Sequence, residues 1–202
     1  MNRRSLLASA AALATTTLLG ACAPLLIGGA AVSGALMYSD RRTSGAQLED
    51  QAIEFKAGPR LKEALAQPAH LNVTSYNRLV LITGEVVTVE DHDAAEKAVS
   101  AIENVRSVVN ETAVMGASSL TARSNDALIT SKVKATFIDN GNLDANAIKI
   151  VTERSTVYLL GRVTEREAEK ATEVARSVGG VQKVVRVFEM ISEAELKALE
   201  KR

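Results

Sequence analysis

The sequence predicts an α+β protein built as two tandem units, each a small mixed three-stranded sheet with two helices on one face. Three observations carry that prediction. The chain repeats itself once. Each copy runs through strand-like and helix-like apolar periods in the same order. The cores must be aliphatic, because 202 residues hold only three Phe, three Tyr and no Trp.

Self-comparison sets the units. Leu79-Val80-Leu81-Ile82-Thr83-Gly84-Glu85-Val86 lines up with Thr156-Val157-Tyr158-Leu159-Leu160-Gly161-Arg162-Val163. Downstream, Val105-Arg106-Ser107-Val108-Val109-Asn110 matches Val181-Gln182-Lys183-Val184-Val185-Arg186. Upstream, Leu71-Asn72-Val73-Thr74 parallels Ile148-Lys149-Ile150-Val151-Thr152. A single repetition, separated by Gly116-Ala117-Ser118-Ser119, means tandem domains and not a solenoid.

Each unit opens on a helix with apolar residues at helical spacing. These are Leu61 and Leu65 in the first unit, where the helix starts beside Pro59, and Ile129, Val133 and Phe137 over 125–138 in the second. Short strands follow around Asn72–Ser75 and Lys149–Thr152. Turns at Tyr76-Asn77 and Glu153-Arg154-Ser155 lead into Leu79–Thr83 and Val157–Leu160, giving a hairpin in each unit. Gly84 and Gly161 are expected to end these strands. Second helices follow over Asp91–Ile102 and Thr164–Ser177, the latter opened by a capping box, Thr164-Glu165-Arg166-Glu167. The final strands, Ser107–Ala113 and Lys183–Phe188, return by right-handed crossovers and so lie parallel to their neighbours. At roughly 70 residues each unit is marginal alone, so the two are expected to pack on each other. Ser192–Arg202 reads as a mainly polar helix with Leu196 and Leu199 as its contacts.

The first 21 residues have the three parts of an export signal. Arg3 and Arg4 give a positive start, Ser5–Leu19 is uncharged, and Leu19-Gly20-Ala21-Cys22 ends the apolar run. That tetrapeptide resembles the lipobox of bacterial lipoproteins, which implies diacylglyceryl transfer to Cys22 and cleavage before it. Cys22 is the only cysteine, so none is left for a disulfide. An ordinary secretory signal and a transmembrane helix running on towards Met37 are the rival readings. Against the second, Pro24, Gly28, Gly29 and Gly34 interrupt the apolar stretch that cleavage would leave. Asn2-Arg3-Arg4-Ser5-Leu6-Leu7 also weakly resembles a twin-arginine signal. Ala23 occupies the place where an Asp can direct inner-membrane retention, which favours the outer membrane. The expected layout is a signal over 1–21, an acylated tether over 22–45, a first unit over 46–116, a second over 117–191 and a helical tail over 192–202.

A strand ending in Gly-x-Val, a helix, then Val-x-x-Val-Val, repeated twice behind a lipobox, resembles the BON domain family. The pattern is closest to the outer-membrane lipoproteins of Proteobacteria that carry two such domains. Ser124-Asn125-Asp126-Ala127-Leu128-Ile129-Thr130-Ser131-Lys132-Val133-Lys134 and Val163-Thr164-Glu165-Arg166-Glu167-Ala168 carry the resemblance most specifically. It implies a non-enzymatic, periplasm-facing protein that binds anionic phospholipid through the second domain, chiefly its first helix, and supports outer-membrane integrity.

The residues support that expectation independently. On a helix over 125–138, Ile129, Val133 and Phe137 share the core stripe. Leu128, Ser131, Lys132, Ala135 and Ile138 fall on the opposite arc, with Arg123 and Lys134 nearby. Aliphatic residues flanked by bases suit an anionic interface. The rival reading packs Leu128 and Ile138 against the other unit.

Charge divides the halves. Residues 46–116 hold 6 basic and 11 acidic residues, whereas 117–202 hold 14 and 12. The acidic first unit is expected to bind no lipid, and an adaptor role, docking a periplasmic protein along Asp91–Ile102, is the alternative. No concentrated basic stripe suggests nucleic acid. No catalytic residue, cofactor or metal site is predicted. His70 and His92 lie in separate loops, and Glu165, Glu167 and Glu169 read as a solvated helix face and cap.

Overall fold

The computed structural model describes residues 40–141 and 143–199; the lipobox, Cys22 and most of the expected tether lie outside them. In the first domain, α1 (Ser44–Ala64) is followed by β1 (His70–Tyr76), β2 (Leu79–Val86), α2 (Val89–Ser100), β3 (Ser107–Asn110) and β4 (Ala113–Val114). The second domain repeats the order with α3 (Leu120–Asp139), β5 (Ile148–Glu153), β6 (Thr156–Val163), α4 (Glu165–Ser177) and β7 (Lys183–Met190), and α5 (Glu193–Leu199) follows. Both hairpins are antiparallel, and β3, β4 and β7 lie parallel to β2 or β6, as the crossover rule requires.

Strand alternation places the cores. Val80 and Ile82 turn to Ile53, Ala57 and Leu61 of α1 and to Ala95 and Val99 of α2. Val157 and Leu159 turn to Ile129, Val133 and Phe137 of α3 and to Ala168, Ala171 and Ala175 of α4. The intervening residues, Leu81, Tyr158, Leu160 and Val187, join Tyr76 in a third core. The two sheets therefore pack face to face, with α1 and α2 covering one outer side and α3 and α4 the other.

Several expected boundaries move. Gly84 and Gly161 do not end their strands, which run on to Val86 and Val163. They mark close approaches: a Cβ on Gly84, at φ +111°, would stand 2.0 Å from the His70 carbonyl oxygen, and one on Gly161 would stand 2.6 Å from that of Ala147. The expected strand Ser107–Ala113 is broken at Glu111-Thr112, where the Thr112 amide and hydroxyl bond the Asn110 side chain. Helix α1 begins sixteen residues before Arg60 and carries Pro59 inside it. Burial of Ala46, Asp50, Ile53 and Ala57 ahead of that proline outweighs its cost of about 3 kcal/mol. Helix α3 begins at Leu120, capped by the Ser119 hydroxyl, which accepts from the Ala122 amide at 3.1 Å.

The segments leading into the first helices cross to the other domain. Arg41 donates two bonds to Glu167, at 2.7 and 2.8 Å, and one to the Arg162 carbonyl at 2.8 Å. Ser118, ahead of α3, donates from its amide and hydroxyl to Glu85 of the first domain, each at 3.2 Å. Asn77 and Arg106 reach Glu189, and Asn72 reaches Glu153.

Candidate lipid-contact face of the second domain

Helix α3 is fixed from beneath. Ile129, Val133 and Phe137 are buried in the aliphatic core. Asp126, also buried, accepts the amides of Arg154 and Ser155 at 2.8 Å each. Both of those turn residues have positive φ, and the carboxylate holds them there. Asp50 does the same for Asn77 and Arg78 in the first domain, at 2.7 Å each.

The opposite face of α3 is open. Leu128 and Ile138 are 60% and 64% exposed, so neither packs against the first domain. Ser131, Lys132 and Ala135 lie exposed between them. The Ser131 hydroxyl donates to the Ala127 carbonyl, and the Thr136 hydroxyl to that of Lys132, so two polar groups are turned back onto the helix. Leu120, 78% exposed, adds a third aliphatic residue that sequence reasoning missed. The signal was present: Ser119 is a good N-cap five residues ahead of Ser124.

The bases divide. Lys132 makes no ion pair among the described residues and stays free on the open face. Lys134 instead turns to the Ala145 carbonyl, and burial lowers its pKa. Arg123 is half-buried and donates to the Ser118 hydroxyl at 3.1 Å. Asp139, exposed at the end of the helix, offsets part of the remaining charge. The face is an aliphatic surface with one free cation, and apolar insertion dominates what it can do.

His92 is paired through Nδ1 with the Thr112 hydroxyl at 2.7 Å. No group of three or more His, Cys, Asp or Glu among the described residues could hold a metal ion. No described helix is long and apolar enough to cross a membrane.

The family model of the BON domain matches residues 49–116 and again 125–191. The chain belongs to the BON-domain family. Its two BON domains align with outer membrane lipoprotein DolP of Haemophilus influenzae at 33% identity over 181 residues, covering 89% of this chain and 93% of that one. The 21 kDa hemolysin of Actinobacillus pleuropneumoniae is 32% identical over 154 residues, covering 75% and 79%. Osmotically-inducible protein Y of Escherichia coli matches over 61 residues at 39% identity, 30% of each chain. Likeness to DolP across nearly the whole length makes this a DolP-like outer-membrane lipoprotein with tandem BON domains.

Proposed function

We propose that this protein is acylated on Cys22, works without catalysis, and binds anionic phospholipid through α3 of its second BON domain, in support of outer-membrane integrity. The observation that carries the reading is the exposure of Leu128 and Ile138 on either side of a free Lys132. Aliphatic side chains enter the headgroup region, and the lysine meets an anionic surface with about 1 kcal/mol. Such a contact is weak alone. An acyl anchor raises the local lipid concentration, so that a weak contact is sufficient.

Co-sedimentation of the full mature chain, carrying Cys22→Ser, with phosphatidylglycerol vesicles tests the face separately from the anchor. Leu128→Glu and Lys132→Glu each lower the bound fraction, and Asp139→Asn raises it. Binding that is unchanged in the first two variants removes the site assignment.

A second reading, an adaptor docking a periplasmic protein through the first domain, draws on exposed Val87 and Val89 beside the acidic start of α2. Photo-crosslinkers along Asp91–Ile102 test it; if they capture no protein in cells, that surface is excluded.

A further inference from the structure

The first domain lacks filling that the second one has. Asp50, Ile53, Ala57 and Leu61 of α1 stand in register with Asp126, Ile129, Val133 and Phe137 of α3. At the C-terminal end of α3 the space beside β5 is closed from within. Phe137 is buried, Leu143 and Ala145 of the following loop join the core, and Lys134 reaches the Ala145 carbonyl. At the same end of α1 the core-facing positions are smaller, although Leu65 and Pro59 are larger than Gly141 and Ala135, their counterparts. Leu61 stands for Phe137, Ala57 for Val133 and Gly58 for Lys134, and loop residues Ala66, Gln67, Pro68 and Ala69 remain exposed.

What remains is an open cleft of about 560 Å³, whose lining includes Gly58, Leu61, Lys62, Leu65, Pro68 and Leu71. That volume lies within the roughly 300–1,000 Å³ of small-ligand sites. Lys62 is the only charged residue in the lining, and it makes no ion pair among the described residues. Lys62 belongs to the outer pole of α1, beyond the rest of the lining. Phe55, Pro59 and Lys62 follow at i, i+4 and i+7, on the side away from Ile53, Ala57 and Leu61. Phe55 is 82% exposed.

We propose, against the expectation drawn from the acidic charge of this domain, that this cleft binds one acyl chain of a single-chain anionic lipid, the hydrocarbon lying on Leu61, Leu65 and Leu71 and the headgroup on Lys62. In the second domain the corresponding place is closed largely by apolar groups, Phe137, Leu143 and Ala145. A lone lysine at the rim complements an anion and excludes a cation. The site is separate from the open face of α3 and does not depend on it.

The test titrates the full mature Cys22→Ser chain with lauroyl lysophosphatidylglycerol below its micelle concentration, following backbone amide shifts. Saturable one-to-one shifts are expected at Gly58, Lys62, Leu65 and Leu71. Gly58→Leu fills the cleft and abolishes saturation; a Cβ at Gly58 meets nothing within 4 Å, and an unchanged amide spectrum away from the cleft shows that the variant keeps its fold. Lys62→Gln weakens binding about fivefold, and neutral lysophosphatidylcholine binds wild type and Lys62→Gln equally. Leu128→Glu leaves the affinity unchanged, which keeps this result apart from the fate of the α3 face. The proposal is overturned by shifts that never saturate, by saturation that survives Gly58→Leu, or by equal affinity in Lys62→Gln. Saturation by acetyl-Leu-Asp-Ala-amide with none by the lipid gives the cleft to a protein segment and equally overturns it.

Discussion

Asp50 and Asp126 show how single side chains set this fold. Each is buried on a first helix and accepts the amides of a hairpin turn whose two residues have positive φ. Truncation leaves those amides unpartnered, so Asp126→Ala is expected to cost about 2–3 kcal/mol in urea unfolding. This role was hard to read from the sequence, because a lone Asp looks like a surface residue; only the register of Asp50 with Asp126 hinted at it. Arg41 and Glu167 make a second such device, with side chains only 9% and 10% exposed. Burial opposes ionisation of Glu167, but bonds from Arg41 and the Thr164 amide outweigh it and hold the carboxyl below its ordinary 4.5. A lowered folded pKa gives stability that is complete above the ordinary value and is lost as pH falls through the folded one. Arg41→Ala is thus expected to cost about 3 kcal/mol at neutral pH. Its stability should also fall less than that of wild type on acidification below pH 4.5. Parallel acid-dependent losses in the two proteins would exclude the pair as the source.

At the scale of elements, periodicity located the hairpins and the second helices, but it merged β3 and β4 into one strand and missed the first half of α1. Glycine after an apolar run reads as a strand terminus, yet Gly84 and Gly161 lie inside strands where a neighbouring carbonyl leaves no room for a Cβ. Gly84→Ala should therefore cost about 3 kcal/mol, from overpacking and from an unfavourable φ together; a thermal melt within a degree of wild type would contradict this. The expected helix starts beside Pro59, whereas α1 runs through it. The buried stripe on its N-terminal side, which includes the small residues Ala46 and Ala57, carries the helix through it. Small and acidic residues on a core face weaken the apolar pattern, which is why the first half of α1 did not stand out. The capping box at Thr164 and Glu167 was legible and is present, because its signal lies in four adjacent residues.

The whole molecule is held by the sheet-on-sheet core of Tyr76, Leu81, Tyr158, Leu160 and Val187, and by the leader segments that cross between domains. Calorimetry of the full chain should accordingly give one cooperative transition, with calorimetric and van't Hoff enthalpies equal; two separable transitions would mean that the domains fold independently. Mutual packing was expected from the size of each unit, but the face it uses was not, since strands buried on both sides read as continuous apolar runs. With the sheets inward, α1 and α3 point away from each other, and only one outer side can lie flat on a bilayer. The candidate face of α3 was largely legible as an arc of Leu128, Lys132 and Ile138. The turning of Lys134 towards Ala145 was not, because it depends on a loop conformation that no spacing encodes. The central claim, that α3 is the surface that meets lipid, is tested most directly by amide line broadening of the full chain on anionic vesicles doped with a headgroup-labelled paramagnetic lipid. Broadening centred on Leu120, Leu128, Lys132 and Ile138, with α2 untouched, is the predicted result; vesicle-bound protein whose α3 amides keep their intensity would contradict it.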